Sequence, residues 1–342
     1  MSEKILKKSQ SKILNKSNQS YIGAIDVGGT KMASALFTGD GRLAFRSRFM
    51  IHQAGGQEAI EQIISLYFQL EGEARKRGRD LRALGLCVPG VVKPGSGLVW
   101  APNIKGWKDL PLVKILEKEI SRPLSIISDR TAYVLGEVWK GAARGQRNVI
   151  YLAVGTGIGA GIMAEGQVIH GENDLAGAVG WMALSREFKE EYLKLGCFES
   201  EASGGAFARK AQTLIENHPE IFVEKNISGR KSEKSAVERV GEEARRGQPV
   251  ALKLIEEIQD YLAMGVANLV SIFNPEVVVL GGGLFQSPDL FFEPIKKKFK
   301  LWAQPLASKK VKIVLSALGQ DAALYGCARA VLEKNKVREP KR

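Results

Sequence analysis

Two glycine-rich stretches stand where a backbone could wrap an anion. Val27-Gly28-Gly29-Thr30-Lys31 and Gly155-Thr156-Gly157-Ile158-Gly159-Ala160-Gly161 each follow a run of apolar residues. Glycine tolerates positive φ and lets backbone N–H groups reach a phosphate without a Cβ in the way. Thr30 and Thr156 add a hydroxyl inside each loop, and a third cluster, Gly281-Gly282-Gly283, closes the apolar run 277–280. One such loop alone reads as a tight hairpin turn; two of them with a third cluster read as phosphate-binding. Other phosphate folds are excluded. No GxxxxGK[ST] string occurs, and the GxGxxA pattern at Gly155, Gly157 and Ala160 turns back through Glu165-Gly166 instead of opening a helix.

Two carboxylates add chemistry to these loops. Asp26 ends an apolar run directly before the first loop, where it could hold a hydrated Mg²⁺ beside phosphates or simply cap a turn. Asp129 ends another and starts a helical stretch over 131–139. There it could take a proton from a substrate hydroxyl, a step that contributes about 10²–10⁴-fold. A plain N-cap is the competing reading of Asp129.

The elements that must carry these residues follow from periodicity. Strands are expected at 21–26 and 32–37, with a third after Gly39-Asp40-Gly41. Ile60, Ile63, Ile64, Tyr67, Phe68 and Ala74 recur at helical spacing until Gly78. A strand at 84–88 ends in Pro89-Gly90, a helix is expected near 112–120, and a strand at 124–127 leads to Ser128-Asp129. The second half repeats the opening theme: strand 149–154, glycine loop 155–161, strand 162–164, a turn and strand 168–170. A helix over 250–273 keeps Ile255, Ile258, Leu262, Val266 and Leu269 on one face until Asn274-Pro275 stops it. The strand 277–280 is apolar throughout, as a buried parallel strand is.

Composition bounds the rest. The chain has 342 residues, 44% hydrophobic and 25% charged, enough to bury a core in one large or two ordinary domains. Its net charge of +13 is concentrated at the ends: residues 1–20 hold five Lys against one Glu, and residues 333–342 hold five basic against two acidic residues. Charge carried on tails is weak ground for a nucleic-acid partner, and none is expected. Cys87, Cys197 and Cys327 form no CxxC pair, which leaves neither a disulfide framework nor a zinc knuckle and fits reduced thiols in a cytoplasmic protein. The uncharged runs 149–164 and 261–275 are too short to span a bilayer, and no secretory signal opens the chain. His52, His170 and His218 are scattered and carry no assigned role.

In order along the chain stand Asp26-x-Gly-Gly-Thr-Lys31, Pro89-Gly90, Ala101-Pro102-Asn103-x-x-Gly106-Trp107, Asp129 with Leu135-Gly136-Glu137, and the 155–161 loop. Ala176-Gly177, Gly196-Cys197-x-Glu199, Ala202-Ser203-Gly204, Asn274-Pro275 and the 281–283 cluster follow. Each is weak alone; the ordered set, from about Tyr21 to Ala330, resembles the ROK family of sugar kinases. The resemblance implies an α/β, two-lobed actin/hexokinase-type (RNase H-like) fold with a cleft between lobes. It assigns 21–128 to a small lobe, joined by a last helix at about 320–332, and 129–319 to a larger one; composition leaves a flexible basic tail at 1–20 and a basic tail at 333–342. By the same resemblance Asp129 is the catalytic base. Asp26, Gly28, Gly29, Thr30, Lys31, Gly155, Thr156, Gly157, Gly282 and Gly283 serve the phosphates and nucleotide, with Mg²⁺ carried by ATP near Asp26. Asn103 and Glu199 match positions that hydrogen-bond sugar hydroxyls in the family, and Ser128 and Trp181 are further candidates for the sugar. A homodimer is common among relatives.

The sequence also departs from that family. Ser128 replaces the usual Asn before the base, and Ala178 and Trp181 replace the Glu and His of the Ala-Gly-Glu-x-Gly-His segment. Of the usual zinc ligands only Cys197 remains, so no structural zinc is expected. Trp181 either offers its ring to a sugar or fills the space of the lost zinc. Arg130 sets a cation beside the base, where it would depress its pKa or meet an anionic substrate group. The expected activity is ATP-dependent phosphorylation of a hexose 6-hydroxyl, glucose by default, with polyphosphate as a second conceivable donor. The alternative is a non-catalytic regulator that binds sugar or nucleotide, although residues 1–20 are too short for a winged-helix DNA-binding domain.

Overall fold

The computed structural model describes residues 20–29, 31–50, 56–222 and 234–338. Thr30, His52, positions 1–19 of the first basic tail and 339–342 of the second lie outside the described residues.

Apolar alternation around the first glycine loop yields β1 (Ser20–Val27) and β2 (Lys31–Thr38), paired antiparallel, with β3 (Leu43–Met50) outside them. β4 (Asp80–Val88) runs parallel to β1. After it come the short antiparallel β5 (Val91–Val92) and β6 (Val99–Trp100), and β7 (Leu124–Ser128) lies parallel to β4. The sheet order is β3-β2-β1-β4-β7. Both faces are covered, which is why these strands are apolar nearly throughout. Ile25, Leu36, Leu84 and Leu86 pack with Ile63 and Leu70 of the helix Gly56–Lys76. On the other face Ile22, Ala24, Phe37 and Cys87 pack against Ala132, Leu324, Cys327 and Ala328. Strand period two therefore puts Asp26 on the face of the helices Asp129–Lys140 and Ala322–Arg338.

Those two helices touch closely. A Cβ built on Gly326 would lie 1.8 Å from the Ala132 carbonyl oxygen, and one on Gly136 would lie 2.1 Å from that of Ala322. Buried Glu137 accepts the backbone N–H groups of Ala142 (2.6 Å) and Leu318 (3.1 Å), tying the end of one helix to the approach of the other.

In the second half, β8 (Val149–Val154) and β9 (Ile158–Ala164) form an antiparallel hairpin with β10 (Gln167–Val168) beyond it. β11 (Val277–Gly281) lies parallel to β8, and β12 (Lys312–Leu315) parallel to β11. The sheet order is β10-β9-β8-β11-β12. The helices Gly204–Asn217, Ala236–Arg245 and Pro249–Phe273 follow β10, and the last ends where Asn274 takes the left-handed conformation (φ 44°). No helix among the described residues is long and apolar enough to cross a membrane.

The chain divides into two compact units. One comprises residues up to Gly145, Val168–Ala176 and everything from Ala317; the other comprises Gln146–Gln167 and Gly177–Ser316. The expected boundary after residue 128 is thus corrected to Gly145, because the helix Asp129–Lys140 is clamped to the C-terminal helix and goes with it. The C-terminal helix starts at Ala322 and continues to Arg338, into the stretch 333–342 read as a basic tail. The second glycine loop is also shorter than expected. Gly159, Ala160 and Gly161 pair with Ala153, Leu152 and Tyr151 as strand residues, leaving a turn at 155–157. The strand expected at 168–170 is reduced to Gln167–Val168.

Candidate active site

In the first unit the β1–β2 turn is closed by Gly28 N–H donating to the Lys31 carbonyl at 3.0 Å. Asp26 stands just before it, level with Cys87 across the parallel register, and its Oδ1 accepts the Cys87 thiol at 3.2 Å. Burial pushes the Asp26 carboxyl above its ordinary pKa, while the Cys87 bond, Lys31 and Arg48 pull it back. Exposed Asn103 lies against the turn, its Cβ 3.7 Å from where a Gly29 Cβ would be. Its segment is anchored by fully buried Trp107, whose ring N–H donates to the Gly56 carbonyl at 3.0 Å.

Asp129 is the first residue of its helix, and Ser128 is the cap. Ser128 Oγ accepts the Thr131 N–H at 3.4 Å and bonds the Thr131 hydroxyl at 3.1 Å. This settles the N-cap alternative against Asp129. The Ser128 hydroxyl, read as a sugar contact, is buried and bonded to Thr131 at its own helix start. The Asp129 carboxylate accepts the Arg130 N–H at 2.8 Å. Burial first, then the charge of Asp26, raise its pKa to about 6 against the opposing pull of Arg130. The Arg130 guanidinium itself donates to the Asp174 carbonyl at 2.8 Å. Asp174 in turn accepts the Val92 N–H at 3.2 Å and pairs with His170 Nδ1 at 2.8 Å. His170, assigned nothing from sequence, therefore belongs to the support of Arg130.

In the second unit the β8–β9 turn is closed by Gly155 N–H donating to Gly157 carbonyl at 3.0 Å. It sits on the start of the helix Gly204–Asn217: Gly204 N–H donates to Gly155 carbonyl at 2.7 Å and Gly205 N–H to Thr156 carbonyl at 3.2 Å. Cβ atoms on Gly204 and Gly205 would fall 2.7 and 2.6 Å from those oxygens, so only glycine permits the approach. Gly282, at φ 104°, lies against the Val154 carbonyl beside the same turn, and Gly283 faces open space.

Glu199 Oε2 accepts the Ile158 N–H at 2.7 Å and fills the space over Gly157. Burial raises its pKa, and the Ile158 bond and Arg209 lower it. One oxygen expected to meet sugar thus holds the turn. Trp181 is 58% exposed, which rules out the reading in which it fills the space of a lost zinc. Nearby, fully buried Glu201 is paired with Lys189 (2.5 Å) and Lys210 (2.7 Å) and accepts the Tyr192 hydroxyl, while Cys197 Sγ accepts the Leu184 N–H at 3.4 Å. Among the described residues no group of three or more His, Cys, Asp and Glu is placed to hold a metal ion. Cys87, Asp174 and Gly205 were not foreseen. The doublet after Ser203 was a legible signal for Gly205, and nothing local marked the other two.

The ROK family model matches residues 22–334. A glucokinase from Halalkalibacterium halodurans is 32% identical, with 91% of this chain and 94% of that protein covered. A xylose repressor from Caldicellulosiruptor bescii is 30% identical over 80% of this chain and 69% of its own length. The crystal structure of a ROK family glucokinase from Streptomyces griseus in complex with glucose and AMPPNP aligns with a TM-score of 0.73 at 26% identity, covering 90% of this chain and 98% of that one. The two-domain actin/hexokinase-type fold accounts for both sheets.

Proposed function

This chain belongs to the ROK family, and from that premise we propose that it is an ATP-dependent sugar kinase acting on the 6-hydroxyl of a hexose, with Asp129 as general base. The observation that carries the proposal is the state of Asp129. Ser128 takes over the capping bond, so the carboxylate is spared for other work, and its pKa of about 6 makes it a far better proton acceptor than an ordinary aspartate. At neutral pH it is ionised and ready.

In the proposed reaction Asp129 takes the proton of the sugar hydroxyl. The hydroxyl oxygen bonds to the γ-phosphorus, and the bond from that phosphorus to the β,γ-bridging oxygen breaks, leaving ADP with the electron pair. Phosphoryl transfer of this kind depends mainly on positioning and charge neutralisation. Gly28, Gly29, Thr30 and Lys31 at one turn, and Gly155, Thr156 and Gly157 at the other, are proposed for the phosphates, with Gly282 and Gly283 at the nucleotide. Asn103, the second carboxylate oxygen of Glu199 and the exposed Trp181 ring are proposed for the sugar. Asp26 fits a magnesium ion: it is a carboxylate next to the proposed phosphate turn, close enough to Asp129 for the two charges to interact, and its hydrogen bond among the described residues comes from a thiol; Mg²⁺ is commonly held by one or two carboxylates plus substrate phosphates. When bound, the ion would supply neutralising charge for the phosphate oxygens.

The test is nucleotide turnover with a panel of hexoses, N-acetylhexosamines and anhydro-sugars, using ATP and polyphosphate in separate arms. ADP release that depends on one of the sugars is the expected result. The similarity to a xylose repressor, with Ala178 and Trp181 in place of the family Glu and His, favours a second reading as a non-catalytic sugar-binding regulator. Sugar binding with no turnover in either arm would decide for it.

A further inference from the structure

Between 294 and 320 the chain carries seven lysines and no acidic residue: Lys296, Lys297, Lys298, Lys300, Lys309, Lys310 and Lys312. This segment, and not only the tails, accounts for the positive charge of the body. It folds as the helices Phe292–Lys298 and Pro305–Lys310 leading into β12. Lys296, Lys300, Lys309 and Lys312 line one cavity of about 480 Å³. Its floor is made by buried Phe299 and by Ile313. None of the four ammonium groups forms an ion pair or hydrogen bond with a described residue, and no carboxylate lines the cavity. Among the described residues Lys298, outside the cavity, is neutralised by Asp260 at 2.6 Å.

We propose that this cavity binds a small anion carrying two or more phosphate groups. Four like charges around one hollow, with Lys296 also over the Phe292 ring at 5.5 Å, repel each other where no counter-charge stands among them, and phosphate is the group that lysine ammonium ions take up as point charges. The volume is within the range of small-molecule pockets. It is too small for a folded partner, and its buried aromatic ring gives no face on which a base could stack. That favours a free phosphate compound over a nucleic acid. None of the lining residues belongs to the proposed catalytic apparatus, so the site would act beside the reaction rather than in it.

The full chain is tested with inorganic tripolyphosphate as probe, against orthophosphate and a single-stranded oligonucleotide, by calorimetry and thermal melting. Tripolyphosphate is expected to bind at least about tenfold more tightly than orthophosphate, with an affinity that falls as salt rises. The double variant Lys300→Gln/Lys309→Gln is expected to weaken that binding at least about tenfold and, without ligand, to melt no lower than the parent, since it removes repulsion. Asp26→Asn, which alters the proposed phosphate turn instead, should leave tripolyphosphate binding at the lysine cavity intact. Binding unchanged in the lysine variant, no binding at millimolar probe, or an oligonucleotide that outcompetes tripolyphosphate would each overturn the proposal.

Discussion

Ser128 Oγ accepts the Thr131 N–H, and this bond spares the neighbouring Asp129 carboxylate from capping its own helix. The structure therefore separates the two jobs that a single aspartate at this position could have combined. Asp129→Asn keeps the helix start and removes only the charge. Sugar-dependent ADP release should fall at least about 10²-fold. The same change should raise stability at pH 8 by about 1–2 kcal/mol, because ionising this carboxyl is costly where it sits. The sign follows from linkage. The folded protein holds the proton up to about pH 6, the unfolded chain only to about 3.8, so native stability declines as pH rises between them. Denaturant titrations at pH 4 and pH 8 check this: the gain in the variant should be large at the higher value and nearly absent at the lower.

The rate should show the same titration with the opposite benefit. A general base works only when ionised, so kcat/KM should climb about tenfold per pH unit below pH 6 and level off above it. Arg130→Ala removes the cation that opposes burial, and should move the midpoint upward. Initial-rate profiles of both proteins, checked for stability across the range, measure the shift.

Glu199 separates a structural from a sugar-binding role. If its main task is to accept the Ile158 N–H, Glu199→Gln retains an acceptor and keeps most activity, whereas Glu199→Ala frees the turn at 155–157. The expected result is a raised KM for ATP in Glu199→Ala of roughly ten- to a hundredfold, as misplacement of a phosphate-binding turn would give. A loss in Glu199→Gln confined to the KM for sugar would instead mark the second oxygen as a direct sugar contact.

The β-strands and their order of appearance were legible because period-two alternation and glycine punctuation are local. So was the long helix ending at Asn274. What sequence could not supply was partnership across distance. Asp129 sits at a strand–helix junction, and nothing nearby in the chain states that Gly326 lies against its helix, or that Asp174 holds Arg130. The domain boundary was misplaced for that reason: the helix Asp129–Lys140 follows the first sheet in space because of a glycine contact more than half the chain away. The glycine-rich stretch 155–161 misled in a different way, since composition cannot distinguish a turn glycine from one paired in a strand.

That glycine contact is itself testable. Gly326→Ala would place a Cβ 1.8 Å from the Ala132 carbonyl oxygen, and both neighbours are backbone, so the helices must separate. A cost of about 2–3 kcal/mol is expected, as for an overpacked core, with lower activity per folded molecule because Asp129 rides on the displaced helix. Gly72→Ala is the control: no atom lies within 4 Å of its Cβ, and inside a helix the change should stabilise by about 0.5–1 kcal/mol. Chemical denaturation of the two variants side by side distinguishes the clamp from a general intolerance of substitution.

Glu201 offers the sharpest test of what holds the second unit together. Its carboxylate is fully buried, and although burial alone would raise its pKa, the bonds from Lys189, Lys210 and Tyr192 outweigh it and depress the value to about 2. A depressed pKa means stability that is present above the unfolded value of about 4.5 and is lost as pH falls toward 2. Glu201→Gln takes from Lys189 and Lys210 the carboxylate they share, while Lys210 keeps its pair with Glu257 at 2.6 Å. Because Lys189 is about half exposed and can turn to water, the cost should be about 2 kcal/mol, below that of a wholly buried pair. The deficit relative to the parent should shrink as pH falls from about 4.5 toward 2, because the unfolded parent chain takes up a proton there that the folded carboxylate still refuses. A deficit that stays constant down to pH 2.5 would mean that packing around Glu201, and not its charge, is what the second unit relies on.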